Sequence, residues 1–470
     1  MPESSLNHSF MSKPLERRGR LFWPWLALVL LVSLPAVAAD SFQWRTNRVS
    51  ADIKSGDLFQ VLERIATSTG WQIFVEPETA RRVSVKFENL PPGDALHLLL
   101  GDLNFALVTE TNTSPKLFVF RTSMGNATQA VRAKPDASAT RGKVIPNELI
   151  VHLKPGAKIE ELAKLLGAKI TGRIDSLNAY RLQFDDAAAA DAARQQLASN
   201  PDVTSVENNY ALDRPAGPAL AQGSNLPPPP QLQLKTPPET GRLIVGLVDT
   251  AVQPLGNGLD SFMLKQLSVA GDAQLDPNSP SHGTSMAETV LRSLADITKG
   301  SSSVQILPVD VYGPNATTST FDVANGIATA YNNGAKIINL SLGSEGNSQF
   351  LQDIIQQVSS KNVILIGAAG NTPVTTPFYP AAYPEVLAVT ALDQGQLASY
   401  ANRGTFISLG APGTSIVYYQ NQPWYVQGTS ASAAYTSGMA AGYMDSTHNS
   451  ASQAQTFLRN NFGVKITTRP

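Results

Sequence analysis

The sequence predicts an α/β protein: a doubly wound, mainly parallel sheet in residues 241–470, preceded by two small α+β domains in residues 40–122 and 144–213. Three observations support this fold class. Continuous apolar runs recur after residue 241, and most of them are separated by stretches of helix length. Strands of a parallel sheet are covered by helices on both faces, so they carry continuous apolar runs. Each small domain in turn shows the order β-α-β-β-α-β, and in the first domain the last strand belongs to a closing hairpin.

The segment before the first small domain predicts export. Four basic residues precede an apolar run at 21–34, and small residues follow at 36–39. This order is typical of a secretory signal peptide, so residues 1–39 are left out of the fold. An uncut membrane anchor is the alternative, because the stretch just reaches the length that a bilayer requires, although Pro24 and Pro35 shorten it.

The composition excludes several classes of function. The 470 residues are 42% hydrophobic and 16% charged, which is ordinary for a chain with large cores. The formal net charge is −1, so the sequence implies no nucleic-acid partner. The chain has no cysteine, which excludes disulfides, a thiol nucleophile and thiolate metal sites.

The first small domain, residues 40–122, is predicted from the alternation of strand and helix patterns. The predicted strands are 49–53, 71–75, 83–87, 105–109 and 117–120, and the predicted helices begin at Leu58 and after Pro91. The last two strands are expected to form a closing hairpin.

Two motifs of this domain carry a resemblance. Residues 83–96 read Val-Ser-Val-Lys-Phe-Glu-Asn-Leu-Pro-Pro-Gly-Asp-Ala-Leu, and residues 69–71 read Thr-Gly-Trp. The domain resembles the short N-terminal domain shared by secretins and TonB-dependent receptors. The resemblance implies a periplasmic docking module without chemistry of its own, which holds the protein near an envelope partner. An unrelated α+β spacer is the alternative.

The second small domain, residues 144–213, follows a predicted linker at 123–143 that has no apolar periodicity. The predicted strands are 148–153, 169–174, 179–184 and 203–207, and the predicted helices are 159–166 and 187–198. We expect Leu162, Leu165 and Leu166 to face the sheet and His152 to lie on the surface. The order is that of a ferredoxin-like fold, which hosts many functions.

Three segments of the second small domain carry a second resemblance. Residues 148–156, 177–182 and 202–210 read Glu-Leu-Ile-Val-His-Leu-Lys-Pro-Gly, Leu-Asn-Ala-Tyr-Arg-Leu and Asp-Val-Thr-Ser-Val-Glu-Asn-Asn-Tyr. They look like the inhibitory propeptide of subtilisin-type proteases, which implies that this domain inhibits the rest of its own chain. A connector at 214–240 follows, and its proline runs predict an extended segment without a core.

Four polar residues of the large domain, residues 241–470, stand where chemistry is expected. Asp249 and Asn371 follow apolar runs, whereas His282 and Ser430 each stand at the start of a predicted helix. Ligands of such sheets gather at the carboxyl ends of the strands, and a buried carboxylate is costly unless a partner orients against it. Each residue alone also fits an ordinary role as a helix cap, loop residue or turn former.

The chain order Asp, His, Ser is that of subtilisin. Short motifs around these residues are found at 248–250, 282–284, 339–343, 368–371, 378–389 and 428–430. On these motifs the large domain resembles the subtilisin-like (subtilase) serine proteases. The resemblance implies Ser430 as the nucleophile, His282 as the general base and then acid, and Asp249 as the group that fixes the imidazole tautomer.

The same resemblance implies how substrate is held. Asn371 and the Ser430 backbone N–H are expected to form an oxyanion hole. Ser341, Leu342 and Gly343 are expected to bind a peptide substrate as an added strand. The expected partners are protein or peptide substrates and the chain's own propeptide domain. No catalytic metal or cofactor is required; subtilases often carry structural calcium, but the sequence identifies no set of oxygen ligands for it.

The site departs from the family pattern in two places. Ala251 stands where the family usually has Gly, and residues 431–435 replace its usual Met-Ala-Thr-Pro-His with Ala-Ser-Ala-Ala-Tyr, which predicts a more regular helix. The expected function is a serine endopeptidase made as a self-processing zymogen, either secreted or held in the periplasm or at the outer membrane of a Gram-negative-type envelope. A catalytically degenerate subtilase that acts as an envelope binding or assembly protein is the alternative.

Overall fold

The computed structural model describes residues 41–464 except 46–47, 78, 80, 109–114, 132–141, 224–225, 239–240 and 257. The predicted signal peptide at 1–39 lies outside the described residues, as does much of the predicted linker at 123–143. Within the described ranges, the structure has no helix that is both long enough and apolar enough to cross a membrane.

The first small domain has two sheets around a shared hydrophobic core. Its elements are β1 Ser41–Arg45, β2 Arg48–Asp57, α1 Leu58–Thr69, β3 Gln72–Val75, β4 Arg82–Leu90, α2 Pro92–Leu100, β5 Asn104–Val108, β6 Lys116–Phe120 and β7 Gln129–Val131. The sheets are ordered β1-β2-β4 and β5-β6-β3-β7. α1 begins where the Asp57 side chain accepts the Phe59 N–H, and it ends at Gly70 in the left-handed conformation.

The predicted strands, helices and closing hairpin of this domain are confirmed. Two strands were not predicted. β1 precedes the first predicted strand, and β7 lies inside the predicted linker and pairs antiparallel with β3. β7 has only three residues, which is too short to show a periodic pattern.

The second small domain has one antiparallel sheet ordered β11-β8-β10-β9. Its elements are β8 Lys143–Leu153, α3 Ile159–Leu166, β9 Lys169–Ile174, β10 Ala179–Gln183, α4 Ala187–Ala198 and β11 Val203–Asp213. This is the predicted β-α-β-β-α-β order. β11 continues six residues beyond its predicted end at Glu207, because its last part pairs with the large domain.

Two side-chain predictions in this domain are wrong. Leu165 is 75% exposed, because it lies about 110° around the α3 axis from the stripe that faces the sheet. His152 does not lie on the surface, since the face of β8 that carries it is covered by the large domain. Its ring packs edge-on against Phe350 at 4.9 Å between ring centroids, and burial lowers the pKa of His152.

The connector and the large domain contain the remaining elements. In the connector these are β12 Ala219–Leu220 and β13 Gln233–Leu234. In the large domain they are β14 Ile244–Asp249, β15 Leu267–Ser268, α5 His282–Thr298, β16 Ser301–Ser302, β17 Gln305–Asp310, β18 Thr317–Ser319, α6 Thr320–Asn332, β19 Ala335–Leu340, α7 Gln349–Ser359, β20 Ile364–Ala368, β21 Val386–Asp393, β22 Gln396–Leu397, β23 Leu409–Pro412, β24 Thr414–Tyr419, β25 Gln422–Gln427, α8 Thr429–Thr447 and α9 Ala451–Phe462.

The main sheet of the large domain is ordered β15-β17-β14-β19-β20-β21-β22, with β23 paired to β21, and it is parallel except at β22. α5, α8 and α9 pack into the core on one face, and α6 and α7 pack on the other. The predicted doubly wound α/β fold is therefore confirmed. The two neighbours of β14 in the sheet are β17 on one side and β19 on the other. The chain therefore changes its direction of progress across the sheet at β14. Ligand sites in such sheets lie at the carboxyl end of the strands at this point.

Candidate active site

Asp249 is the last residue of β14 and is fully buried. Its Oδ1 accepts the Thr250 N–H at 2.6 Å. Its two carboxylate oxygens lie 2.8 and 3.0 Å from Nδ1 of His282. A buried carboxylate is stable only with partners of this kind. The hydrogen bonds from Thr250 and His282 therefore allow Asp249 to remain buried at the end of an apolar strand.

His282 is the first residue of α5, which begins where the Ser281 side chain accepts the Thr284 N–H. Gly283 lets the helix approach β14, because a Cβ there would lie 2.1 Å from Thr250 O. The close contact between the backbones of Gly283 and Thr250 therefore places the His282 imidazole beside Asp249. With Nδ1 held by the carboxylate, Nε2 is the ring nitrogen left for proton transfer.

Ser430 is the second residue of α8 and is largely buried. Its Oγ donates to Ser341 O at 3.1 Å, and Ser341 Oγ donates to Ser430 O at 3.0 Å. Among the described contacts, none joins Ser430 to His282. Hydrogen bonds between nucleophile and base are often long without substrate, so this geometry is compatible with a catalytic pair.

Asn371 follows β20 and is held against the start of α8. Its Oδ1 accepts the Thr429 N–H at 2.8 Å and the Thr429 hydroxyl at 3.0 Å. Gly370 donates its N–H to the same hydroxyl at 3.0 Å. A Cβ on Gly428, whose φ is +146°, would lie 2.9 Å from Asn371 Nδ2, so Gly428 lets this amide approach. Nδ2 remains as a donor beside the amino end of α8, where unpaired N–H groups also favour negative charge.

Ser341, Leu342 and Gly343 directly follow β19, and the first two are buried. The contact with Ser430 places Ser341 at the site. At Gly343 a Cβ would lie 2.4 Å from the Phe378 ring and 2.7 Å from Tyr379 O, so only glycine fits there. The described contacts join the suggested residues in two groups, Asp249 with His282, and Ser430 with Ser341 and, through Thr429, with Asn371. Residues of both groups lie at the carboxyl ends of strands of the main sheet.

Asp310 was missed by the sequence reasoning. It ends β17 opposite Asp249 in register, and its Oδ1 accepts the N–H groups of Tyr312 and Gly313 at 2.9 and 3.1 Å. Burial raises the pKa of Asp310, and these N–H donors partly offset that effect. The signal was present, since Asp310 ends an apolar run as Asp249 does. It shapes the loop that leads to β18.

The second small domain covers the amino ends of α6 and α7. Glu207 accepts from Ser348 Oγ at 2.5 Å and from the N–H groups of Gln349 and Phe350 at 3.0 and 3.2 Å. Asn209 Oδ1 accepts from Thr320 Oγ1 and the Phe321 N–H at the start of α6. Side-chain acceptors satisfy unpaired helix N–H groups in this way, so the contact is specific.

A buried Asp–His pair and a serine at a helix amino end, on the carboxyl edge of a doubly wound sheet, form the arrangement of a serine hydrolase. No group of three or more acidic or histidine side chains that could hold a metal is found in the described part of the chain. The comparisons with known proteins narrow the class.

The subtilase family (peptidase S8) matches residues 241–465, and the fervidolysin N-terminal prodomain matches residues 130–209. The chain belongs to the subtilase family and is a serine protease with a prodomain. The prodomain match begins inside β7, ahead of the predicted boundary at residue 144.

The chain is similar to several proteases. It is 28% identical to the thermophilic serine proteinase of Bacillus sp. (strain AK1), over 65% of this chain and 80% of that protein. It is 30% identical to thermitase of Thermoactinomyces vulgaris, over 46% of this chain and 79% of that protein. The crystal structure of fervidolysin from Fervidobacterium pennivorans, a keratinolytic enzyme related to subtilisin, matches 67% of this chain and 56% of that one, with a TM-score of 0.50. At 19% identity, this last likeness shows the fold alone.

Proposed function

We propose that the protein is an exported serine endopeptidase that is made as a zymogen and cuts its own chain. Ser430 Oγ attacks a peptide carbonyl carbon while His282 Nε2 takes its proton. His282 then gives the proton to the leaving amine, and water hydrolyses the acyl-enzyme with His282 again as the base. The contact between Asp249 and His282 at 2.8 and 3.0 Å carries the proposal.

The oxyanion is stabilised by Asn371 Nδ2 and the Ser430 N–H. The hydrogen bonds of Asn371 support this role. Asn371 Oδ1 is already occupied by Thr429, so the amide group is oriented before substrate arrives. Donors fixed in advance stabilise developing charge without the cost of reorganisation.

The end of β11 supports the proposed mode of substrate binding. Residues 211–213 pair antiparallel with β18, as a peptide added to the edge of a sheet would. Leu212 is buried in the core below, and Arg214 donates to the carbonyls of Gly313 and Asn315 at 2.9 and 2.6 Å. We propose that the acyl side of a substrate takes this path between β18 and residues 341–343.

The chain is held again at β12, where Ala219 lies opposite Tyr425 of β25. The six Cα–Cα steps from Asp213 to Ala219 span at most about 20 Å. Residues 214–218 therefore run directly from β18 to β25, the strand that leads into Ser430. We infer that self-cleavage falls in this segment.

The register of β12 supports this position of the cut. If its pairing with β25 is continued toward Ser430, Ala216 comes opposite Gly428, two residues before the nucleophile. After the cut, the caps on α6 and α7 keep the prodomain bound as an inhibitor.

Location and anchoring are further parts of the proposal. Residues 1–39 carry the signal-peptide pattern. The first small domain has β4, a strand of nine residues, at the edge of a sheet. Such an edge can accept a strand from an envelope partner. We propose that this domain holds the zymogen at that partner, in the periplasm or at the outer membrane.

A fluorophosphonate probe tests the proposed function directly, because only an activated serine is labelled. The purified chain should be labelled, and Ser430→Ala should lose the label. Ser432→Ala, two residues along α8, is the matched control and should keep it. Labelling that survives in Ser430→Ala would rule out Ser430 as the nucleophile.

The non-catalytic alternative has no support from the comparisons, because the relatives named above are proteases.

A further inference from the structure

The connector is fastened to the large domain well beyond the proposed cut. Ala219 and Leu220 pair antiparallel with Tyr425 and Trp424, and the Ala221 N–H donates to Pro423 O at 3.0 Å. Three consecutive residues thus follow the free edge of β25. Nothing in this pairing uses the prodomain.

Residues 226–235 have their own anchors. Tyr418 donates its hydroxyl to Pro227 O at 2.9 Å, and Arg292 donates to Pro228 O at the same distance. β13 then pairs with β16, and the Lys235 N–H donates to Ser302 O at 2.8 Å. We call residues 219–223 and 226–235 the strap. Cleavage at 214–218 would break the covalent link to the prodomain but leave the strap attached at all these points.

The edge of β25 is also where a substrate would continue past its cut bond. β25 leads through Gly428 and Thr429 into Ser430, and the strap pairs with it antiparallel from Tyr425 away from the nucleophile. Main-chain pairing of this kind depends on backbone groups more than on side chains. An extended peptide from a protein substrate can therefore make the contacts that the strap makes.

Resting on the proposed self-cleavage, we propose that the strap, which then belongs to the enzyme's own new amino end, stays on the free edge of β25 and competes there with the leaving-group side of extended peptide substrates. Because the strap is tethered close by, its effective concentration is on the order of millimolar. Substrates that reach β25 must displace it, whereas short substrates need not.

Two variants separate the strap from the catalytic groups. Ala221→Pro removes the N–H that binds Pro423 O, and proline cannot replace this donor. Gln222→Pro is the matched control, because Gln222 is exposed and adjacent in the same segment. Neither residue belongs to the catalytic machinery. Amino-terminal sequencing of each mature enzyme should give a start within residues 215–219, which shows that the strap is retained.

The assay uses two substrates with the same acyl side. One ends in p-nitroanilide at the cut bond, and the other continues for six further residues with a fluorescence quencher. Ala221→Pro should lower KM for the long substrate by about two- to tenfold, the loss expected for one strap hydrogen bond, and leave KM for the p-nitroanilide unchanged. Gln222→Pro should behave as the wild type.

Equal KM values for the long substrate in wild type and Ala221→Pro, with normal p-nitroanilide hydrolysis, would overturn the inference and leave the proposed function standing. A mature amino end beyond residue 221 would overturn it as well. Absence of Ser430-dependent p-nitroanilide hydrolysis would overturn the proposed function and the inference together.

Discussion

Asp249 and His282 are joined before any substrate is present. The carboxylate is buried at the end of an apolar strand, and the imidazole reaches it because Gly283 lets α5 approach Thr250. Preorganisation of this kind means that little of the geometry has to be created during the reaction. The pair should therefore act with Ser430 as one unit.

Substitutions in this unit should not add. Ser430→Ala, His282→Ala and Asp249→Asn should each lower kcat by several orders of magnitude, and a double variant should lose little more than the worse single one. The measurement is kcat on a p-nitroanilide peptide, with Ser432→Ala as the control. Independent, multiplying losses would show that the three residues do not share one step.

Glu288 gives a test of stability against pH. Burial raises its pKa from 4.5 to about 7, although the Tyr418 N–H and Arg292 act in the opposite direction. A carboxyl that is harder to ionise when folded stabilises the fold fully below pH 4.5, and this contribution, on the order of 3 kcal/mol, is lost as the pH rises through about 7. In Ser430→Ala protein, which cannot digest itself, Glu288→Gln should flatten the fall in melting temperature between pH 5 and pH 9. An unchanged fall would show that Glu288 is not the titrating group.

The residues that the sequence predicted best are those that follow a long apolar run. Asp249 and Asn371 could be placed because the run fixes both the strand and its carboxyl end. Leu165 and His152 could not, since their surroundings depend on a narrow helix stripe and on a neighbouring domain. Asp310 carries the same signal as Asp249, because it too is a polar residue at the end of an apolar run.

Among the elements, the contact between the prodomain and α6 and α7 is the most specific. Glu207 and Asn209 supply acceptors to helix N–H groups, and Arg181 reaches Asp322 on α6 at 2.6 Å. The sequence predicted stretches of helix length between the apolar runs but not these caps. Short pairings such as β12 with β25 were equally hidden, because a two-residue strand is defined only by its partner.

The cap at α7 predicts how the cut prodomain responds to pH. Burial raises the pKa of Glu207, although hydrogen bonds from Ser348 and the backbone of α7 oppose the shift. A carboxyl whose pKa is raised in the complex favours association below its ordinary pKa of 4.5, and that advantage is lost as the pH rises through the raised value. The fraction of cleaved prodomain that co-elutes with the enzyme should therefore fall with rising pH, and less steeply in Glu207→Gln.

The control for this measurement is Glu161→Gln on the exposed face of α3. It should keep the pH dependence of the wild type. Identical profiles for Glu207→Gln and wild type would show that another group controls dissociation.

In the whole molecule, one chain carries the inhibitor, the connector and the protease in that order. The fold class and the order of domains followed from periodicity, because helices and parallel strands differ in their apolar patterns. The path of residues 211–223 and 226–235 across the large domain could not follow from periodicity. It depends on edges of β18, β25 and β16 that are contributed by distant parts of the chain.

The first small domain should affect location and not chemistry. Deleting residues 40–140, while keeping residues 1–39, should leave hydrolysis of a p-nitroanilide peptide unchanged, because none of the proposed site residues lies there. The protein should move from the membrane-associated to the soluble envelope fraction. Lost peptidase activity with unchanged fractionation would instead make the domain a folding aid.

Self-cleavage by Ser430 within residues 214–218 can be observed by intact-mass spectrometry of freshly purified wild type and Ser430→Ala. The wild type should give two fragments whose junction lies in that segment, and Ser430→Ala should give one uncut species. The same cut in both proteins, or a wild type that stays uncut, would rule out self-cleavage by Ser430.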